Sequence, residues 1–325
     1  MPRTDTQTRR DIVDKLLRIK ARRGRETHLV SAHTYELDHI VSKAGDDHDV
    51  VLKLIPIRAV TFIEVLTRAA MADLIDAGNP YLDRAEKLFK KIDYRADFKT
   101  IAALRGQSIT IGDILAHMVK VNKLDDIHWN MSSLLDSDYF ASLSTVYDRF
   151  NVEIRGKEPV PTLGEKTIWY PILERMFNAR HIIVHEMSSY DMLSLEEAKT
   201  YADTATRFLN ASWQVIANTL EPNYPLTQTE MNISAQEKFN DVEVELDALV
   251  LRLENRIEDD PRSLEVFKDM HKKWQEFREA QMLFRHDPQG GGTIGPMLRA
   301  LEGHELTRTR IAYYEKWLNR EEGDL

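Results

Sequence analysis

"RMFNARHIIVHEMSSYD", Arg175 to Asp191, sets an arginine, a histidine beside it and a second histidine one turn on inside a mostly apolar helical segment. Side chains at i and i+4 share a helix face, so His181 and His185 look the same way, and Asn178, seven residues before His185, joins them. Arg180 points about 140° away at roughly 100° per residue, but its long stem can carry the guanidinium back toward that face. Three uses of these groups are open on the residues alone. In the first, Ile182, Ile183 and Val184 are core and the histidines are satisfied boundary residues. In the second, His181 and His185 form a helical metal pair assisted by Glu186, although the order is not the His-Glu-x-x-His of zincins and no third ligand is evident. In the third, the histidines move protons near neutral pH while Arg180 presents its fork of donors to a phosphate.

Outward from this segment, apolar residues recur at three and four spacing through most of the chain and alternating β-branched runs are scarce, which predicts an all-α protein. Helices are expected at about 8–22, 48–78, 80–91, 111–136, 138–149, 164–187, 194–220, 230–257, 261–285 and 294–320. Only "QSITIGD" (Gln107–Asp113) and "FNVEIRG" (Phe150–Gly156) look extended. Asn79-Pro80 and Asp260-Pro261 open helices, and Ser194 with Glu197 makes a capping box. "RGKEPVPTLGEK" (Arg155–Lys166) reads as a loop within a domain, "LEPNYPLTQTE" (Leu220–Glu230) as the boundary between two, and the glycines of "DPQGGGTIGP" at 287–296 as a loop between C-terminal helices. The expected division is a basic helical arm over 1–45, a helical domain over 46–225 and a small helical domain over 226–325.

The chain has 325 residues, 42% hydrophobic and 30% charged, with no cysteine and a net charge of −9. No apolar run approaches the ~18 residues of a membrane span, and the start lacks the apolar core of a secretory signal, so a soluble cytoplasmic protein is expected. Residues 1–25 carry nine Lys/Arg against three Asp, and residues 226–325 carry 14 basic against 21 acidic side chains. Any nucleic-acid contact must therefore come from a local cluster rather than from overall charge.

Arg180-His181-Ile-Ile-Val-His185 resembles the R-x4-6-H signature of HEPN domains, in which a polar residue follows the arginine. The context is similar too: the motif lies on a late helix followed by one more long helix, and "IRAVTFIEVLTRAAMADLIDAG" (Ile57–Gly78) looks like the leading helix of such a domain. The resemblance implies a HEPN-type bundle and a metal-independent endoribonuclease of toxin or antiphage-defence type, with its site at a homodimer interface and RNA as substrate. It further implies that the 2′-hydroxyl of RNA attacks the adjacent phosphorus, with His185 moving protons, Arg180 holding the phosphate, and His181 with Asn178 positioning. Glu64 on the leading helix would orient a histidine. No metal or cofactor is implied. The alternative within the family is a catalytically silent dimerisation or binding module. Met187 stands where some members carry a modifiable tyrosine.

Met231-Asn232, Trp274 with Arg278, Gly291-Gly292 and Leu306-Thr307 with Arg310 fall in the order that resembles the lysozyme-inhibitor LprI-type module, a small helical domain. Exported members have cysteines at positions corresponding to Ser234, Met282 and Glu302, so this copy suits a reducing compartment. The resemblance implies a protein-binding surface, here for a trigger or inhibitor of the first domain. Trp274, Phe277 and Phe284 are expected in the core, and Arg278 against a helix-borne carboxylate.

Overall fold

The computed structural model describes residues 15–18, 30–43, 49–92, 101, 105, 109–185, 193–285 and 292–319. Most of the expected arm over 1–45, Glu186 and Met187, and the glycines at 290 and 291 lie outside the described residues. The fold is all-α: among the described residues there are helices and no strand, only an isolated bridge between Tyr147 and Pro161. The chain folds into two compact units, Met1–Tyr224 and Pro225–Leu325.

The first unit contains α1 (Val30–Lys43), α2 (Asp49–Asp76), α3 (Tyr81–Ile92), α4 (Ile111–Met118), α5 (Leu124–Leu135), α6 (Tyr139–Thr145), a π-helical turn (Phe150–Ile154), α7 (Lys166–His185) and α8 (Leu195–Leu220). The long α2 is the centre post. α1, α4, α7 and α8 all pack on it, and Ile55, Ala59, Phe62, Ile63, Leu66, Ala70 and Leu74 are buried along it. Each large apolar side chain of this kind contributes about 1.5–3 kcal/mol on burial. At Gly112 α4 comes so close that a Cβ would lie 2.4 Å from the Ala72 carbonyl oxygen. The Gly112 N–H instead donates to Asp76 Oδ1 at 3.0 Å.

Four expectations change. Residues 111–136 form two helices, because the carbonyl of Lys120 is taken by Asn130 Nδ2 at 2.7 Å and the backbone is already extended at Val119. In "QSITIGD" the described part is a helix start: Thr110 Oγ1 accepts from the Asp113 N–H at 3.0 Å, and Asp113 Oδ2 accepts from the Thr110 N–H at 2.8 Å. "FNVEIRG" is a π-helical turn, locked by Arg149 donating through Nε and Nη2 to both carboxylate oxygens of Glu153 at 2.6 and 3.0 Å. Helix α1 lies inside the expected helical arm, but no helix was placed at its residues. It buries only Val30, His33 and Leu37, a stripe too thin to read as a period.

The second unit contains α9 (Gln228–Arg256), α10 (Pro261–Arg285), a 3₁₀ turn (Gly292–Ile294) and α11 (Gly295–Leu318). α9 opens on a capping box of Thr227 and Glu230. Its buried residues Ala235, Phe239, Val242, Leu246, Leu249 and Leu253 alternate four and three apart, the seam of knobs-into-holes packing. α11 runs parallel to α9, since Asn232 Nδ2 donates to the Thr293 carbonyl at the start and Arg308 Nη1 meets Glu245 Oε2 at 2.7 Å further along. α10 runs antiparallel to α11: Gln281 meets Glu302 at one end and His271 meets Tyr314 at the other. Trp274 packs against the core, whereas Phe277 and Phe284 are exposed by 55% and 88%. That corrects their expected burial. The inward face of α10 is set by Phe267, His271, Trp274, Arg278 and Met282, and residues 277 and 284 lie off that stripe.

Candidate functional site

Helix α7 presents the opening segment, and its inward stripe fixes which residues remain outside. Trp169, Leu173, Met176, Phe177 and Ala179 are buried. Trp169 sits edge-on to Phe140 at 5.1 Å and donates from Nε1 to Ser144 Oγ at 3.3 Å, anchoring the helix start against α6. Tyr170 donates to Asp125 Oδ1 at 2.9 Å, and burial, reinforced by that carboxylate, pushes its phenol up to about 12. The preceding loop is held by Arg207, which donates to the carbonyls of Thr162 and Leu163 at 3.0 and 2.8 Å. With α7 fixed in this way, Asn178, His181 and His185 fall on its exposed side, and Ile182 and Ile183 are half-buried.

The two imidazoles face each other, with ring centroids 5.0 Å apart and planes inclined by 49°. Arg180 is half-buried one residue before the first of them, and its Nε is buried with no hydrogen-bond partner. An unmet buried N–H costs on the order of 1–3 kcal/mol, so this N–H is left for a ligand to satisfy. Asn178 shares the exposed side. Glu64 lies on α2, where its ion-pair neighbour is Arg68, at 3.9 Å one turn on, and Arg68 Nη1 also donates to the Glu64 carbonyl at 3.4 Å. Among the described residues no three His, Asp or Glu side chains group as a metal site requires. Glu186, the third member of the metal reading, is outside them.

In the second unit the arginines of the Trp-x3-Arg and Leu-Thr-x-x-Arg elements meet over one indole. Arg278 lies 4.9 Å from the Trp274 ring centroid and Arg310 lies 5.3 Å from it. Arg278 donates bidentately to Glu243, through Nη1 to Oε1 and through Nη2 to Oε2 at 3.0 Å, and Nη1 also donates to Thr307 Oγ1 at 3.0 Å. The expected carboxylate on a neighbouring helix is therefore present. Arg310 packs over the rings of Tyr314 at 4.5 Å and Tyr313 at 5.4 Å. His271 Nδ1 and the buried Tyr314 hydroxyl lie 3.0 Å apart. Burial first, and the nearby Arg310 charge second, lower the His271 pKa from its ordinary value. Met231 and Asn232 open the module, and the Asn232 link to Thr293 ties α9 to the glycine-bearing turn.

This ordered set of helices, with Trp274, Arg278, Thr307 and Arg310 in mutual contact or linked through one ring, decides the second unit. Residues 221–313 match the family model for Lysozyme inhibitor LprI. The match starts in the last four residues of the first unit, Glu221–Tyr224, and spans the second unit's three helices up to Tyr313. No curated protein and no solved structure matches the chain.

One feature of the first unit is barely marked in the sequence pattern. A groove of about 310 Å³ opens between α6, the turn after it and the C-terminal end of α8. The one signal for it in the sequence is the Arg149/Glu153 pair at i, i+4, which marks a fixed polar turn rather than a strand.

Proposed function

We infer that the first unit is an RNA-cleaving domain of HEPN type, acting without metal at a site completed by a second copy, and that the LprI domain is its protein-binding partner module. The observation that carries the enzymatic reading is the pairing on α7 of two exposed, adjacent imidazoles with an arginine whose Nε has no internal partner. Such a set has what phosphoryl transfer to the substrate's own hydroxyl needs: two proton carriers and a planar cation for the non-bridging oxygens. One imidazole takes the proton of the RNA 2′-hydroxyl as its oxygen bonds to phosphorus. The bond from phosphorus to the 5′-oxygen breaks, and that oxygen receives a proton. The products are a 2′,3′-cyclic phosphate and a 5′-hydroxyl. Asn178 on the same face positions the phosphate, and a two-fold contact through that face gathers both copies' groups.

The match to a lysozyme-inhibitor family supports a protein ligand for the second unit, a trigger or an inhibitor of cleavage. The absence of cysteine from the chain supports a cytoplasmic setting for this reading. It is tested by the RNA ends made by the full chain, compared with Arg180→Lys and His185→Ala. Cyclic-phosphate ends with wild type, and a 10²–10⁴-fold loss with His185→Ala in a protein of unchanged circular dichroism, are expected. Arg180→Lys should also lose most activity, because an ammonium cannot replace the bidentate fork. Cleavage that persists undiminished in both variants refutes the assignment. A folded wild type that cuts no RNA leaves the silent dimerisation module.

A further inference from the structure

The groove beside α8 is lined by Ser142, Thr145, Tyr147, Arg149, Asn218 and Thr219 over a floor that includes Val146 and Val215. Its volume of about 310 Å³ stands at the low end of ligand sites, ~300–1,000 Å³, and suits a single sugar ring or a nucleoside. The hydrogen-bonding character of the lining is one-sided. Ser142 Oγ gives its proton to the Asp138 carbonyl at 3.1 Å, Thr145 Oγ1 to Ala141 at 3.1 Å, and Thr219 Oγ1 to Val215 at 2.7 Å. A hydroxyl has one proton and two lone pairs, so these three oxygens face the groove as acceptors only. Asn218 Oδ1 is a fourth acceptor. It is buried and has no partner, an unmet acceptor that a ligand O–H or N–H would satisfy.

Besides the Asn218 amide N–H groups, donation into the groove comes from one corner. Arg149 has five N–H groups; three are taken, two by Glu153 and one by the Pro222 carbonyl at 2.8 Å. The ion pair with Glu153 closes the charge of that guanidinium, and Arg149 is further held over the Tyr224 ring at 4.8 Å. The two N–H groups left over, the Tyr147 hydroxyl and the Asn218 Nδ2 amide are the donors available. The lining is thus rich in acceptors, has neutral donors beside them and is electrically closed, which disfavours a phosphate and favours a neutral ligand carrying several hydroxyls.

We propose that this groove binds the neutral polyhydroxyl ring of a nucleoside or a free sugar, its vicinal hydroxyls donating to Asn218 Oδ1 and to the Ser142, Thr145 and Thr219 oxygens. The site does not depend on the RNA-cleaving reading, and Arg180 takes no part in it. Isothermal titration of the full chain with uridine, 2′,3′-dideoxyuridine, glucose and N-acetylglucosamine separates the two sources. Saturable binding of uridine that falls at least tenfold for the dideoxy compound identifies a nucleoside, and binding of either sugar in preference to uridine identifies a free sugar. Asn218→Leu is expected to weaken whichever ligand binds by tenfold or more. Thr145→Val, at an exposed helix end where folding is not in question, should weaken it severalfold, and Arg180→Ala should leave it unchanged. Failure of all four compounds to saturate below about 10 mM, or equal binding by wild type and Thr145→Val, overturns the proposal.

Discussion

Arg278 and Glu243 form a buried pair whose members differ in their access to water, and that difference makes their removal unequal. The Arg278 side chain is 5% exposed and the Glu243 side chain 34% exposed. In Glu243→Ala the guanidinium stays between Trp274 and Phe239, at 4.9 and 5.3 Å from their centroids. Its remaining neighbours are the Thr307 hydroxyl at 3.0 Å and Glu279 at 3.7 Å. Leaving a buried charge without its partner costs about 3–5 kcal/mol, of which the Glu279 carboxylate offsets a part. In Arg278→Met the thioether side chain refills most of the stem volume, and the orphaned Glu243 turns to solvent. What is lost is two cation–π contacts, each about 0.5–1 kcal/mol, and one partner of Thr307, for a sum of about 1–3 kcal/mol. Urea unfolding of the full chain, followed by Trp fluorescence and far-UV circular dichroism, measures both. Glu243→Ala should lower the midpoint of the second unit's transition by the larger amount, and the double variant should resemble Arg278→Met alone. If Arg278→Met costs as much as Glu243→Ala, the pair is not asymmetric and its burial does not govern its worth.

Gly112→Ala should destabilise the first unit by about 3 kcal/mol or more, since its Cβ meets the backbone of Ala72 and displaces the bond to Asp76. Gly303→Ala, whose Cβ meets the movable Met282 Cε and the Phe239 ring edge, should cost about 1–2 kcal/mol by the same scale; thermal scans that rank the two the other way contradict this. Stability should fall as pH drops below about 6.5. Burial lowers the pKa of His117 and His271 in the folded chain, so the unfolded chain takes up protons first and the stabilisation present above that pH is lost on the way down. His117→Gln and His271→Gln should flatten the profile, and an unchanged slope in both removes the assignment. Finally, Asn178→Glu on the exposed face of α7 should place two like charges across a two-fold contact. It should yield an inactive monomer by analytical ultracentrifugation; full turnover by a monomer would defeat the shared site.

The parts of the fold that were legible in the sequence are those with a strong period or a punctuating residue. Ser194 accepts from the Glu197 N–H at 3.1 Å, though Glu197 Oε1 takes the Tyr201 hydroxyl at 2.7 Å rather than completing the expected box, and Asp260 caps α10 through Ser263, each where the pattern placed a helix start. What was missed is decided by tertiary contacts. The break at Lys120 depends on Asn130, ten residues on, and α1 is a helix because a few side chains dock on α2. Thr110 and Asp113 form a box with aspartate in the place usually given to glutamate, inside a run of isoleucines that imitates a strand. At the candidate site the i, i+4 rule foresaw the facing imidazoles, but no local pattern could show that Arg180 would be half-buried with its Nε unpartnered. The groove at Asn218 is less legible still. It joins residues about seventy positions apart, and its chemistry follows from where three hydroxyl protons go.

The second unit shows how an LprI-type helical domain can be assembled without cysteine. Met282 is buried in the core against the close approach at Gly303 and the ring of Phe239. Glu302 accepts from Gln281 Nε2 at 2.7 Å. These contacts act on the folded chain, unlike a cross-link, which acts largely on the unfolded one. They add to an uninterrupted seam along α9, where six buried residues repeat at four and three spacing. Met282→Ala should accordingly cost about 2–5 kcal/mol, independent of any reductant. A loss below about 1 kcal/mol would mean that the seam alone holds the unit, and that Met282 fills space without bracing the crossing at Gly303.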